Sequence, residues 1–464
     1  MRADIRQGVD ATLLEREQSL HGSINAEAQR LAQLESSPNN GKMIAQSRKR
    51  LDDLISRYED AQTSIRAASP HYASLTQPQP LTLETIRQQV LDDDTLLLEF
   101  SLGQEHSYGW AAGTTSLRGF ELPSGGEIEK LARDLYHALL ARDRHPSETL
   151  AQRRIRLARM DSEFEKLAAS LSGILFGPAA KDISGKRRLL IVCGGALQYV
   201  PFGALPDPLA RVPLIANHEI VNLPSASVLA VLRRELAQRS KPASTLAILA
   251  DPVYDSADPR VALGKVNVDP PEFSRLRFSR QEANEIAALA PRTKSLIALD
   301  FDANRALVES GRLAGYGWVH FATHAVIDSD HPELSGIVLS LADRRGRAEN
   351  GFLRMLDIYN LKLNADLVTL SACRTALGKD IAGEGLVGLT RGFLYAGASR
   401  VVATLWSVED KATAELMRRF YSGIFKDKLS PASALRAAQL AMWHDKQWRS
   451  PYYWGAFTLQ GEWR

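Results

Sequence analysis

Two side chains in this 464-residue chain are spaced for nucleophilic chemistry. Cys373 stands in "LVTLSACRTALG", and His324 stands 49 residues earlier in "GWVHFATHAVIDSDHPELSG". Leu367-Val368-Thr369-Leu370 and Trp318 to Phe321 both read as strands buried on both faces. In each case the apolar pattern breaks just before the reactive residue. Both residues are therefore expected in turns past the carboxyl ends of their strands, where open parallel sheets keep reactive groups. If the strands are neighbours, a thiol and an imidazole converge. The thiolate would attack a carbonyl carbon, and the imidazole would keep it deprotonated and then protonate the leaving amine.

The other candidate groups read as structural. His320 lies four residues before His324, but on a strand, and no acidic ligand follows as in H-E-x-x-H, so it reads as a core histidine. His331 in "DSDHPELSG" reads as a loop residue, and Cys193 reads as packing inside an apolar strand. The glycines of "GEGLVGLTRG" lack the lysine and serine of a phosphate loop, and there is no calcium loop of the EF-hand type. Neither a metal nor a cofactor is expected.

Composition narrows the class. The chain is 45% apolar and 24% charged, with 57 basic against 54 acidic residues and a formal net charge of +3. That balance, without a basic stripe interleaved with aromatics, argues against nucleic acid as a partner. Two cysteines, Cys193 and Cys373, make no disulfide framework and favour a reducing compartment. The charged start "MRADIRQGVDATLLERE" is no signal peptide, and no run approaches the roughly 20 apolar residues of a membrane span. A soluble cytoplasmic protein is expected.

The elements that must position the pair follow from periodicity. Residues 1–70 read as a helical hairpin. Leu13, Leu20 and Leu34 share a seven-residue row interrupted by Glu27, with Ile24, Leu31 and Ala28 beside it. Ile44, Leu51, Tyr58 and Ile65 form the second row, and "SSPNNG" turns the chain between them. The alternative is the last piece of a longer repeat array that recruits a partner, although no 34-residue repeat is present here. After a proline-punctuated connector, residues 75–240 and 241–464 each read as a strand–helix series. The fold class is α/β, with parallel sheet covered by helices on both faces. Short glycine-turned strands fill 95–122, and Ser225 or Ser227 caps the helix of "LPSASVLAVLRREL".

"HFATHA", "SACRTALG", "GEGLVGLTRGFLYAGA", "VVATLWSVED" and the terminal "YYWGAFTLQG" together resemble the CHAT family, which groups with caspase- and separase-like cysteine peptidases. Histidine about 50 residues before Ser371-Ala372-Cys373-Arg374-Thr375 also matches the caspase spacing. The resemblance covers roughly residues 75 to 464. It implies a degenerate caspase-like unit followed by an active one, with a dyad of His324 and Cys373. It also implies an oxyanion hole of the Ala325 and Cys373 backbone N–H groups; alanine stands there where caspases have glycine. Ser371 and Thr375 depart from the caspase string, so caspase specificity is not carried over. Separase-like pockets are acidic, and "LWSVEDKA" implies Asp410 as the carboxylate that binds arginine or lysine, with Glu409 and Glu384 as rivals. A carboxylate opening a helix is also favoured by the helix dipole alone.

The expected function is that of a cysteine endopeptidase cutting protein substrates after a basic residue, under control by a partner at the amino-terminal helices or by self-processing. Two readings compete with it. One is a catalytically silent scaffold, against which retention of both histidine and cysteine argues. The other is an amidase or transpeptidase acting on a small amide.

Overall fold

The first two helices, Ala11–Glu35 and Gly41–Ala68, bury the rows that their heptad spacing exposes. Leu20, Ile24, Ala28 and Leu31 are buried in one, and Leu51, Tyr58, Ala61 and Ile65 in the other. Ser47 Oγ donates to Glu27 Oε1 (2.7 Å) and Tyr58 OH to Glu17 Oε1 (3.2 Å). Later residues of one helix thus meet earlier residues of the other, as an antiparallel pair requires. Glu27, which breaks the apolar row, is buried against Ser47, with Arg50 Nε at 3.8 Å from its carboxylate. The interruption is a buried polar contact inside the seam.

The structure is a computed structural model that describes the chain apart from residues 1–8, 36–39, 70–78, 143–147, 262–272, 292–293, 329–330 and 378–384. Of residues 32, 33, 35, 372–377, 385 and 386 it describes the backbone alone. Two compact units result, Met1–Pro80 and Leu81–Arg464.

The second unit is organised by a sheet of 13 strands. They are β1 (Thr95–Ser101), β2 (Ser107–Ala112), β3 (Leu117–Leu122), β4 (Arg188–Val192), β5 (Glu219–Leu223), β6 (Ser244–Ala250), β7 (Ser295–Leu299), β8 (Tyr316–Asp328), β9 (Gly336–Val338), β10 (Phe352–Arg354), β11 (Leu367–Leu377), β12 (Arg400–Thr404) and β13 (Phe457–Gly461). The path runs β10-β9-β8-β11-β12-β13-β5-β4-β1-β2-β3, and β6 pairs with both β7 and β8. β7, β6, β8, β11 and β12 are parallel, as the buried β-branched runs predict. β1–β2–β3, β8–β9–β10 and β12–β13 are antiparallel. The two strand–helix series share this sheet, joined where β13 runs parallel to β5 at Gln460 and Asn222.

Successive residues of β8 show why both faces are covered. His320 points to Tyr421 of the helix Asp410–Phe425 (3.1 Å). Phe321, facing the other way, packs on Phe393 of the helix Gly385–Tyr395 with ring centroids 5.7 Å apart. Phe321, Phe393, Tyr421 and Trp406 are fully buried. Ser225 caps its helix by accepting from Val228 N (3.1 Å), so of the two serines it is the first that serves.

One local expectation is corrected. Neither His324 nor Cys373 sits in a turn, because β8 and β11 run on as far as Asp328 and Leu377. Their parallel register is unbroken from Leu367↔Trp318 to Leu377↔Asp328. The neighbours stop sooner: β6 pairs with β8 only to Ala322, and β12 with β11 only to Leu370. The two strands therefore project past the carboxyl edge of the surrounding sheet, with β9 continuing along β8. The ladder to β9 and the shared register hold a strand where composition alone suggests a turn.

Candidate active site

His324 and Cys373 are register partners across the β8–β11 pair. The backbone of Cys373 lies in β11, and its thiol is outside the described side chains. Parallel strands stand about 4.8 Å apart, and residues in register share a face.

His324 is 6% exposed and is held on several sides. Its ring lies against Tyr254 (centroids 4.9 Å apart) and Phe273 (5.5 Å). Its backbone N–H donates to Tyr254 OH (3.3 Å), and that hydroxyl also pairs with Thr323 Oγ1 (2.8 Å). Nε2 lies 2.7 Å from the carbonyl oxygen of Ser274. A carbonyl can only accept, so Nε2 carries the proton of the neutral ring and Nδ1 is its basic nitrogen. That tautomer suits a general base.

Ala325, the second backbone donor expected for an oxyanion hole, lies inside β8. It is opposite Ile337 of β9 on one side and Arg374 of β11 on the other.

Asp410 opens the helix Asp410–Phe425 and reaches a second helix, Arg277–Leu289. Its Oδ2 accepts from the backbone N–H of Phe278 (2.7 Å), in the first turn of that helix. Burial, the largest influence, pushes its carboxyl up to about 6; the negative charges of Glu282 and Asp251 add to the rise, and the Phe278 hydrogen bond opposes it. Of its rivals, Glu409 is exposed and Glu384 lies outside the described residues.

His320 is the core histidine that the sequence suggests. Nδ1 is 3.1 Å from Tyr421 OH, which donates in turn to Thr369 Oγ1 (3.0 Å). Nε2 is 2.8 Å from Glu282 Oε1, close enough for an ion pair though without hydrogen-bond alignment. All four residues are fully buried, beneath the register pair. Cys193 falls just after β4 rather than within it and packs against the core; burial pushes its thiol up to about 12. His331 stands beside Glu333 (3.2 Å) at the start of a short 3-10 turn. Among the described residues no cluster of His, Cys, Asp and Glu could hold a metal, and no helix is long and apolar enough to cross a membrane.

Sequence reading missed four contributors: Ser274, Tyr254, Glu282 and Asp251. Ser274 acts through its carbonyl, which leaves no residue-type signal. Glu282 sits in "RQEANEIAAL", where the apolar stripe of Ala283 and Ile286 marks the buried face and could have exposed it.

The mostly parallel sheet with helices on both faces is a caspase-like α/β fold, and it carries His324 and Cys373 on adjacent strands. The CHAT domain model matches residues 165–462, more than half of the chain, and the chain belongs to that family. It is 25% identical over 369 residues to tetratricopeptide repeat protein 28 of Mus musculus, covering 70% of this chain and 14% of that protein. The Homo sapiens protein of the same name is 25% identical over 338 residues, covering 64% of this chain and 13% of that one. The chain thus spans about one-seventh of the length of these relatives. Separase of Saccharomyces cerevisiae, solved with securin, superposes with a TM-score of 0.52 at 9% identity, over 95% of this chain and 37% of separase. That likeness is one of fold.

Proposed function

We propose that the chain is a cysteine endopeptidase with Cys373 as nucleophile and His324 as general base and acid. The observation that carries this reading is the register of the two residues on adjacent parallel strands, together with the Ser274 carbonyl that leaves Nδ1 of His324 basic. The thiolate adds to the scissile carbonyl carbon, and the imidazolium returns its proton to the leaving amine. Water activated by the same imidazole then hydrolyses the thioester. The backbone N–H groups of Cys373 and Ala325 are the oxyanion donors in this scheme.

Asp410 is the proposed anchor for arginine or lysine on the amino side of the cut. Its partly buried carboxylate would meet a guanidinium or ammonium with charge-assisted hydrogen bonds. It already accepts from Phe278 N–H, so the role needs the second oxygen or a shared one. The rival Glu384 is kept as a second acidic candidate. Protein is the expected substrate and partner class, in line with the tetratricopeptide repeat relatives and with the securin bound to separase. The hairpin Ala11–Ala68 is the proposed contact for a regulatory partner, and a cytoplasmic setting is proposed from the cysteine usage.

One observation favours a second reading, a catalytically silent interaction module. Ala325 is flanked by strands on both sides, so its N–H occupies a ladder position unless β8 and β11 part there.

A fluorogenic peptide panel that varies the residue before the cut among Arg, Lys, Asp and Leu separates these readings. Cleavage after Arg or Lys that disappears in Cys373→Ala supports the protease with an acidic pocket. Cleavage after Asp removes Asp410 from the scheme and leaves the dyad. No cleavage in the presence of extracts that supply partners favours the silent module.

A further inference from the structure

The Ser274 carbonyl is useful to His324 only if its peptide plane is fixed, and a carbonyl in a loop before a helix is not fixed by itself. The peptide that carries it joins Ser274 to Arg275. Arg275 donates from Nε to Asp251 Oδ1 (2.8 Å) and from Nη2 to Asp251 Oδ2 (2.7 Å), a two-point clamp. Asp251 also accepts from Arg280 Nε (2.7 Å), one turn inside the following helix, and Arg260 Nη1 lies 3.2 Å away. One carboxylate therefore holds the chain on both sides of the helix start.

Asp251 is 0% exposed, the residue directly after β6, and has a left-handed backbone (φ 48°). A buried carboxylate is costly unless it is fully paired, and the three guanidiniums supply that pairing. Asp300, directly after the neighbouring strand β7, repeats the geometry (φ 53°) and binds Arg260 Nη1 (2.7 Å) and Arg280 Nη2. Asp258 accepts from Arg260 as well (2.8 Å). Three carboxylates thus balance three arginines. The same loop then supplies Tyr254, three residues after Asp251, to the face of that ring.

We infer that Asp251 is a positioning residue for His324, acting through Arg275 on the Ser274 carbonyl that selects the imidazole tautomer. The inference rests on the reading of His324 as general base, but its physical claim concerns the ring alone. Asp251→Asn keeps the side-chain shape, removes the charge and places an amide N–H₂ against guanidinium donors. Arg275→Lys keeps the charge and removes the two-point fork.

The experiment uses the full chain labelled with ¹⁵N-histidine, with His324→Gln assigning the resonance. Wild type should show one neutral tautomer, protonated at Nε2. Asp251→Asn and Arg275→Lys should both show a mixture of tautomers, while Arg344→Ala, which removes an exposed ion pair to Asp302, should not. On the fluorogenic peptide, the two clamp variants should lose about tenfold to a hundredfold in kcat, with KM within about twofold. If Asp251→Asn fails to fold by circular dichroism, Arg275→Lys carries the test. A single Nε2–H tautomer retained in a folded clamp variant overturns the inference, whatever the activity. A tautomer change in a protein whose wild type cuts no peptide supports the positioning role and counts against the protease reading.

Discussion

His324 Nε2 lies 2.7 Å from the carbonyl oxygen of Ser274, 50 residues earlier in the chain. The contact fixes which ring nitrogen is basic, and it couples the histidine on β8 to the start of the helix Arg277–Leu289.

The dyad should behave as one unit. Cys373→Ala is expected to abolish peptide cleavage and His324→Gln to lower kcat by about a thousandfold or more, as for other nucleophile–base pairs. The double variant should be no slower than Cys373→Ala alone. Additive losses measured by single-turnover kinetics would show that the two residues act separately.

Under the proposed function, Asp410 should give peptide cleavage a pH-dependent preference. Its carboxyl titrates near 6, above the ordinary 3.8, because burial, Glu282 and Asp251 all disfavour the charge. Discrimination for Arg over Leu in kcat/KM should therefore rise as pH passes upward through about 6 and fall away below it. Asp410→Asn should show a low, flat ratio across that range. An unchanged ratio between pH 5 and 7.5 would remove Asp410 from the pocket.

The same group makes a stability statement. Its folded pKa is raised, so the neutral form contributes stability that is complete below about 4 and is lost as pH rises through about 6. Denaturant midpoints of wild type and Asp410→Asn should diverge across this window, with the variant lacking that part of the decline.

The buried pair of Glu282 and His320 should be intolerant of single changes. His320→Leu leaves a carboxylate in the core beside Asp410, and a loss of about 3–5 kcal/mol is expected in urea unfolding. Glu282→Leu with His320→Leu together should recover most of it, since two apolar residues leave no uncompensated charge. A double variant as unstable as the single one would point to packing as the cause.

Tyr254→Phe removes the hydroxyl that meets His324 N–H and Thr323 Oγ1 while leaving the ring on the imidazole. About 1 kcal/mol of stability and a several-fold drop in kcat are expected. No change in either, by thermal unfolding and steady-state assay, would mean that the ring alone supports His324.

Much of this was legible in the residues because it is local. Val368, Thr369 and their neighbours form strand because β-branched apolar runs suit a pleated, doubly covered position. Ser225 caps because its oxygen can reach an amide three residues on. Glycine turns mark β1 to β3, and the apolar runs before His324 and Cys373 mark β8 and β11. β9 and β10 escaped because three residues carry no periodicity, and β5 and β7 because their apolar patterns are short and mixed.

What only the tertiary structure decided is which distant groups meet. The register that sets Cys373 opposite His324 depends on how β8 and β11 slide past one another, and a one-residue slip would put them on opposite faces. Ser274 orients the histidine with a backbone atom, which every residue type possesses. Asp251 acts across 24 residues on Arg275, and Asp410 across 132 on Phe278, through carboxylates that look like ordinary surface charge until the sheet and helices remove them from water. Local propensity reads along the chain, whereas desolvation and convergence exist only once the chain has closed on itself.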